Sequence, residues 1–343
     1  MTRTLLILAF LVGALAAPTE AQTREVEGDE RAGTAGASFL LVPTTARTTS
    51  LGNGLTGGLN TLSGVEALQS NPASLMANDG TEALFSYNNY VADIGVNYFG
   101  VAQAFGNSNI ALSVMSWDFG DLVRTDAQFS DPSDLTFDAS AVVVGASYAR
   151  AFTDRISAGV TVKAVNEAID NINGSAVAFD AGMTYTVGES GLQFGVSLRN
   201  FGTKMTYSGN GLSQSVQFDP NGGTFPVAIE ADQYELPSLL NFGATYSRQF
   251  AGDLSASVLG NFRSNAYDQA EFAGGLELGY ADLVYARAGL NVMPEQDMNE
   301  FEMWSVGAGV NVPVSNSSLS VDYAFRSMGD LGETNLITAK IGF

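Results

Sequence analysis

The chain of 343 residues contains no cysteine and no histidine. Without thiols there are no disulfides, no thiolate metal sites and no lipid-modified N-terminal cysteine. Without imidazole, Ser-His-Asp and Cys-His catalysis and histidine-ligated metals are excluded, so no catalytic residue, metal or cofactor is expected. Basic residues are scarce: 15 Lys plus Arg stand against 36 Asp plus Glu, for a formal net charge of −21. Such a chain has no cationic footprint for a phosphate backbone, which excludes nucleic acid as a partner. Proline is rare, nine residues against 38 glycines, which suits many strands joined by tight turns. After residue 17 no apolar run approaches the roughly 20 residues of a membrane helix, although 45% of the chain is hydrophobic.

What is present is hydrophobicity in alternation. Residues 1–21 read as a signal peptide, with Arg3 as the positive start, Leu5 to Ala17 as the apolar centre and Thr19-Glu20-Ala21 before the cleavage point. Residues 22–35 are polar and charged and read as a flexible periplasmic tail. Residues 36–80 carry small residues, a glycine-rich patch and Asn71-Pro72-Ala73, which points to short helices and loops. From residue 81 to 343 the period becomes two. Ile156, Ala158, Val160 and Val162 oppose Ser157, Gly159, Thr161 and Lys163; Leu319, Val321, Tyr323 and Phe325 oppose Ser318, Ser320, Asp322 and Arg326. A helix would scatter these residues around its circumference, whereas a strand sorts them onto two faces.

About fourteen such strands can be marked between 82 and 343, and the connections between them alternate in length. Gly106–Ser108, Phe152–Asp154 and Ala251–Asp253 are short, while 119–136 and 207–235 are long. Short turns on one rim and long loops on the other, with an even strand count, describe an all-β transmembrane antiparallel β-barrel in the cell outer membrane, both termini periplasmic. The end of the chain fits: Ile337, Ala339, Ile341 and Phe343 share one face, and Thr338, Lys340 and Gly342 share the other. Ile341 and the terminal Phe343 are thus a candidate C-terminal insertion signal for the barrel-assembly machinery. Aromatics near strand ends, among them Tyr87, Tyr98, Tyr148, Tyr246, Tyr280 and Trp304, suggest girdles at the lipid headgroups.

The stretches Ala35–Pro43, Ala46-Arg47, Ser50–Gly54, Ala67–Leu75, Phe85–Tyr87 and Asp93–Gly100 resemble the PorV/PorQ family of outer-membrane proteins, which is similar to FadL-like barrels. Ser74 stands where that family has glycine, and Ser70 where an aromatic is common. The resemblance covers about residues 35–125. It implies a fourteen-stranded barrel with residues 36–80 as a small hatch plugging it at the periplasmic side. It also implies a non-enzymatic part in type IX protein secretion and surface attachment, with secreted proteins carrying C-terminal sorting domains and other secretion components as partners. The alternative is a FadL-like transporter of hydrophobic small molecules.

Three sets of residues are candidates for function. Asn71, Pro72 and Ala73 form a hatch motif, because proline fixes φ and pushes the preceding residue to extended geometry. Lys163, Asp180, Arg199, Glu277, Arg287, Asp322, Arg326 and Lys340 share the polar phase of their strands. On the lipid face each basic one would cost roughly 2–4 kcal/mol, so they are expected to face the lumen. There they form either ion pairs in a filled interior or a basic track for an anionic ligand. The long loops, with Leu122, Phe129, Leu135, Phe218, Phe225 and Val227, offer either a docking rim or packed lids. Gly52–Gly57 matches a dinucleotide-binding glycine pattern but lacks the flanking strand and helix, so a close-packed turn is expected.

Overall fold

The computed structural model describes residues 34–59, 64–124, 135–217, 223–250, 252–294, 303–315 and 317–343. The signal peptide, residues 22–33 of the tail, Phe129 and Phe218 lie outside them. The strands are β1 (Thr81–Asn89), β2 (Gly95–Phe105), β3 (Ser108–Val123), β4 (Thr136–Thr153), β5 (Ile156–Ile169), β6 (Ile172–Thr186), β7 (Leu192–Gly202), β8 (Thr206–Ser208), β9 (Ser213–Gln217), β10 (Thr224–Ala228), β11 (Leu239–Gln249), β12 (Leu254–Asn265), β13 (Glu271–Tyr280), β14 (Val284–Val292), β15 (Trp304–Val314), β16 (Ser317–Ser327) and β17 (Glu333–Gly342).

Fourteen of them, β1–β7 and β11–β17, form one closed antiparallel barrel. The last strand pairs with the first, β7 skips to β11, and β5–β6 completes the ring. No described helix is long and apolar enough to cross a membrane. A closed sheet meets the same demand differently, since every backbone group on its wall finds a neighbour and no edge is left open.

The alternation orients the wall. Along β4, Val142, Val144 and Tyr148 are exposed on the outside while Ala141, Val143 and Ala149 are buried inside. One rim carries the short turns, the start of β1 and the end of β17; Phe105, Phe152, Tyr246, Tyr280 and Phe343 are exposed near it. The other carries the long connections 123–136, 202–239 and 292–304. The connection 169–172 on that rim is tight, with Asp170 at φ 50°. Tyr98 departs from the girdle expectation: it is 3% exposed and points into the lumen. Both faces of β2 carry apolar residues, so its phase is not fixed by polarity.

The long connection 202–239 is not structureless. Its β8 pairs with β6, and β9 and β10 form a separate hairpin.

Residues 35–80 occupy the lumen. The helix α1 (Ala46–Ser50) packs against β14–β17, and the 3₁₀ turn Leu55–Gly57 against β7, β11 and β12. The turn Gly64–Ala67 then crosses to β1–β3, and Pro72–Ala77 lies against β3–β6. The two halves of the lumen differ. The side of β2–β6 holds an apolar core with Phe39, Leu40, Val65, Leu68, Leu75, Met115 and Trp117. The side of β13–β17 is ionic.

The sequence reading put both termini on one side and the plug at the short-turn side. Residues 1–33 lie outside the described chain, which begins at the long-loop rim. Ala35 bridges to Glu235, and Gly36 N donates to Glu235 O, inside the 202–239 connection. Phe343 is at the opposite rim, where its N–H donates to Thr81 O. The segment 35–80 therefore runs through the barrel from the long-loop rim to the short-turn rim. Strand alternation orients the wall and carries no information on where a plug inside it begins.

Candidate functional site

Short helices leave most of their own backbone donors and acceptors unpaired, so a plug made of them needs partners from outside. The barrel wall supplies them. Thr338 Oγ1 accepts from Ala46 N at 2.8 Å, and Glu82 Oε1 accepts from Val65 N at 2.5 Å. Asn291 donates to Gly52 O at 2.8 Å, Tyr98 to Val65 O at 3.2 Å and Ser197 to Ser70 O at 2.8 Å. Asn109 Nδ2 donates to both Leu75 O and Asn78 O at 2.7 Å. These polar side chains on inward strand positions hold the hatch.

Asn71 does this from the hatch side. Its Oδ1 accepts from Ala73 N at 3.0 Å, capping the turn that begins at Pro72. Its Nδ2 donates to Thr56 O at 2.9 Å and to Met183 O on the wall at 3.1 Å. The motif thus ties two hatch segments and β6 together at a fully buried point. The glycine pattern at 52–57 forms a close contact with the wall. Gly52 has φ +66°, and a Cβ there would meet Leu290 O at 2.8 Å.

The ionic half joins hatch and wall through a chain of charges. Arg287 Nε lies 2.6 Å from Glu277 Oε2, and its Nη1 lies 2.6 Å from Asp322 Oδ1. Asp322 Oδ2 faces Arg47 of α1 at 3.4 Å. Glu66 of the hatch takes Arg47 at 3.7 Å and Lys340 at 3.5 Å. Glu277, Arg287, Asp322 and Lys340 are therefore structural pairs in a filled lumen. Arg47 and Glu66 are the members the sequence reading missed. Their signal was two charges of opposite sign within a segment otherwise rich in small residues.

The remaining charges lie elsewhere. Lys163 pairs with Asp180 on the β5–β6 wall, and its Nζ also donates to Asn200 Oδ1 at 3.0 Å. The β6–β7 ladder shifts register between Phe179 and Ala181, and Asn200 takes φ 55°. This bulge turns two consecutive residues, Arg199 and Asn200, into the lumen, which strict alternation forbids. Arg199 Nε has no hydrogen-bond acceptor among the described residues. Arg199 and Lys163 line a narrow cavity of about 30 Å³ together with Leu40 and Leu68 of the hatch and Tyr98, Met115 and Val143 of the wall. It is large enough for about two waters. Arg326 stands apart, half-buried at the long-loop end of β16, with Nη2 3.5 Å from Met303 Sδ. Ile341 and Phe343 point outward at the short-turn rim, Phe343 64% exposed.

A closed barrel, apolar outside and filled inside by a polar-anchored hatch, is a plugged β-barrel of transmembrane type. Its fold is that of FadL-like outer-membrane barrels. It is similar to the toluene transporter TodX of Pseudomonas putida (13% identity over 86% of this chain and 96% of that one, TM-score 0.52). The toluene transporter TbuX of Ralstonia pickettii is comparable (12%, 85% and 96%, 0.52). So is a FadL homologue of Pseudomonas aeruginosa (11%, 88% and 98%, 0.53). No family model and no curated protein matches the chain.

Proposed function

We propose that this chain is a non-enzymatic outer-membrane protein that admits small hydrophobic molecules, with residues 36–80 as the gate. The observation that carries this reading is the narrow, half-enclosed cavity where the apolar hatch residues Leu40 and Leu68 meet Lys163 and Arg199. A pocket that is greasy on one side and cationic on the other fits an amphiphile with an anionic head. TodX and TbuX are toluene transporters, which supports the direction of the reading. At about 30 Å³ the cavity is too small for such a ligand, so entry requires the hatch to shift.

The wall around the cavity is continuous on one side and interrupted on the other, where the β6–β7 ladder shifts register between Phe179 and Ala181. Strands β2, β3 and β4 pair without interruption from Gly95↔Asp118 to Phe105↔Ser108 and from Asp118↔Ser140 to Ser108↔Arg150. Native cysteine is absent, so a hatch–wall disulfide from Ser70→Cys with Ser197→Cys has no competitor. In proteoliposomes the oxidised variant is expected to stop uptake of a labelled hydrophobic acid, and reduction to restore it. Equal uptake in both states would refute gating by the hatch.

The PorV/PorQ-type export reading keeps one supporting observation. Phe225 and Val227 of β10, and Ile229 beyond it, are exposed on the long-loop rim. Its test is co-purification of secreted proteins with C-terminal sorting domains, abolished by deleting 209–230. Outer-membrane lipid is the partner that the exposed apolar belt implies under either reading, and Ile341 and Phe343 are proposed to address the barrel-assembly machinery.

A further inference from the structure

We infer that a seat of glycines on the inner wall is what lets the hatch close the barrel, so that a side chain placed on the seat leaves the barrel open. Three cross-strand glycine pairs face the lumen: Gly159↔Gly182, Gly195↔Gly243 and Gly275↔Gly289. None of the six has a positive φ, so the wall backbone would accept a side chain at each. Glycine inside a strand weakens it and marks a place where another backbone comes close. Here that backbone is the hatch. A Cβ at Gly195 would strike Thr56 O, and one at Gly289 would strike Gly52 N. A Cβ at Gly243 would stand 2.5 Å from Gly57 N, one at Gly159 2.5 Å from Pro72 O, and one at Gly275 2.9 Å from Leu51 O. At Gly182 the same space is taken by Asn71 Oδ1.

The wall contains its own comparison. Gly260 and Gly274 form a fourth cross-strand pair, on the outward face of β12 and β13. A Cβ at Gly260 would meet open space, and one at Gly274 would come no closer than 4.0 Å to Leu259 O. The inward and outward pairs share chemistry and strand context and differ in what lies over them. On the β2–β6 side the hatch is packed by side chains, with Leu40, Leu68 and Leu75 in one core with Met115 and Val143. On the glycine seat, backbone meets backbone. Interlocked side chains must change rotamer to part, whereas bare backbone surfaces separate without that step. The close approach also sets the polar anchors. Asn291, two residues along β14 from Gly289, reaches Gly52 O at 2.8 Å, and Asn71 reaches Thr56 O at 2.9 Å. A side chain that lifts Gly52 or Thr56 off the wall stretches these bonds, which weaken steeply with distance and angle.

The seat concerns closure alone and does not depend on the uptake reading. Gly195→Val and Gly289→Val place on it a β-branched side chain, which strands accept well; Gly260→Val does the same on the outward face. Each purified full-length variant is tested for a folded wall by heat-modified gel mobility, for current in planar bilayers, and for cutting within 46–59 by a broad-specificity protease. Gly195→Val and Gly289→Val are expected to keep the folded mobility, to lose closure, with a steady current in place of the wild-type baseline, and to expose the hatch to protease. Gly260→Val is expected to match the wild type in all three. Closure retained by either inward variant, or lost equally in Gly260→Val, would overturn the inference. Should a valine variant fail to fold, alanine at the same position replaces it. An inward alanine that also unfolds the wall overturns the inference too, because hatch and wall would then be inseparable. Open seat variants of a barrel whose wild type takes up no hydrophobic acid would remove the uptake proposal and leave the seat standing.

Discussion

Lys340 Nζ, three residues from the C-terminus, lies 3.5 Å from Glu66 Oε2 in the hatch. The last strand of the barrel and its plug are therefore joined by a buried charge pair. Glu66 also faces Arg47, and Arg47 faces Asp322, so one carboxylate inside the plug organises two wall strands and α1.

Glu66→Gln should consequently loosen the hatch. Removing one member of a buried ionic group weakens the compensation of the others, at up to about 3–5 kcal/mol. In planar bilayers the variant is expected to show opening events that the wild type lacks. Identical traces would mean that the pair does not hold the plug.

Two of the lumenal arginines, Arg287 and Arg199, should respond in opposite ways. Arg287 separates Glu277 from Asp322 at 2.6 Å on each side, and Arg287→Met takes the nearest cation from two buried carboxylates. Its unfolding midpoint, followed by heat-modified gel mobility, should fall clearly below the wild type. Arg199 has an unpartnered Nε and no ion pair to a described carboxylate. Arg199→Met should leave that midpoint equal or higher while reducing binding of a hydrophobic acid in the inner cavity.

Asn71→Ala removes a cap and the donors to Thr56 O and Met183 O. Each buried carbonyl left unpaired costs about 1–3 kcal/mol. The hatch should then be cut by protease in the folded barrel at a rate well above the wild type, while the strands stay protected.

Phe343→Ala separates assembly from stability. The backbone of Phe343 exchanges hydrogen bonds with Thr81 whatever its side chain, and the ring is largely exposed. The purified variant should melt within about 1 kcal/mol of the wild type, as surface substitutions do, yet reach the outer membrane several-fold less. Normal membrane yield would remove its role as an insertion signal.

The barrel itself was legible because its signal is local. In β5 and β16, side chains two apart share a face, so polarity repeated every second residue reports the inside and outside of the wall. The inward phase of Lys163, Asp322 and Lys340 could be marked on the same ground. Tyr98 could not, because β2 is apolar on both faces. Asn200 was hidden by a bulge, which breaks the period at the point where the cavity forms.

The amino-acid order by itself determined the strands, their two faces and the need for a closed wall, since those follow from neighbours a few residues apart and from the demand that backbone groups be paired. Only the tertiary structure decided that the hatch starts at the long-loop rim, that Arg47 meets Asp322 across 275 residues of sequence, and that Arg199 lines a cavity from which Arg326 stands apart. Those outcomes depend on which side chains meet inside the ring, and packing in a closed lumen is a property of all the strands at once.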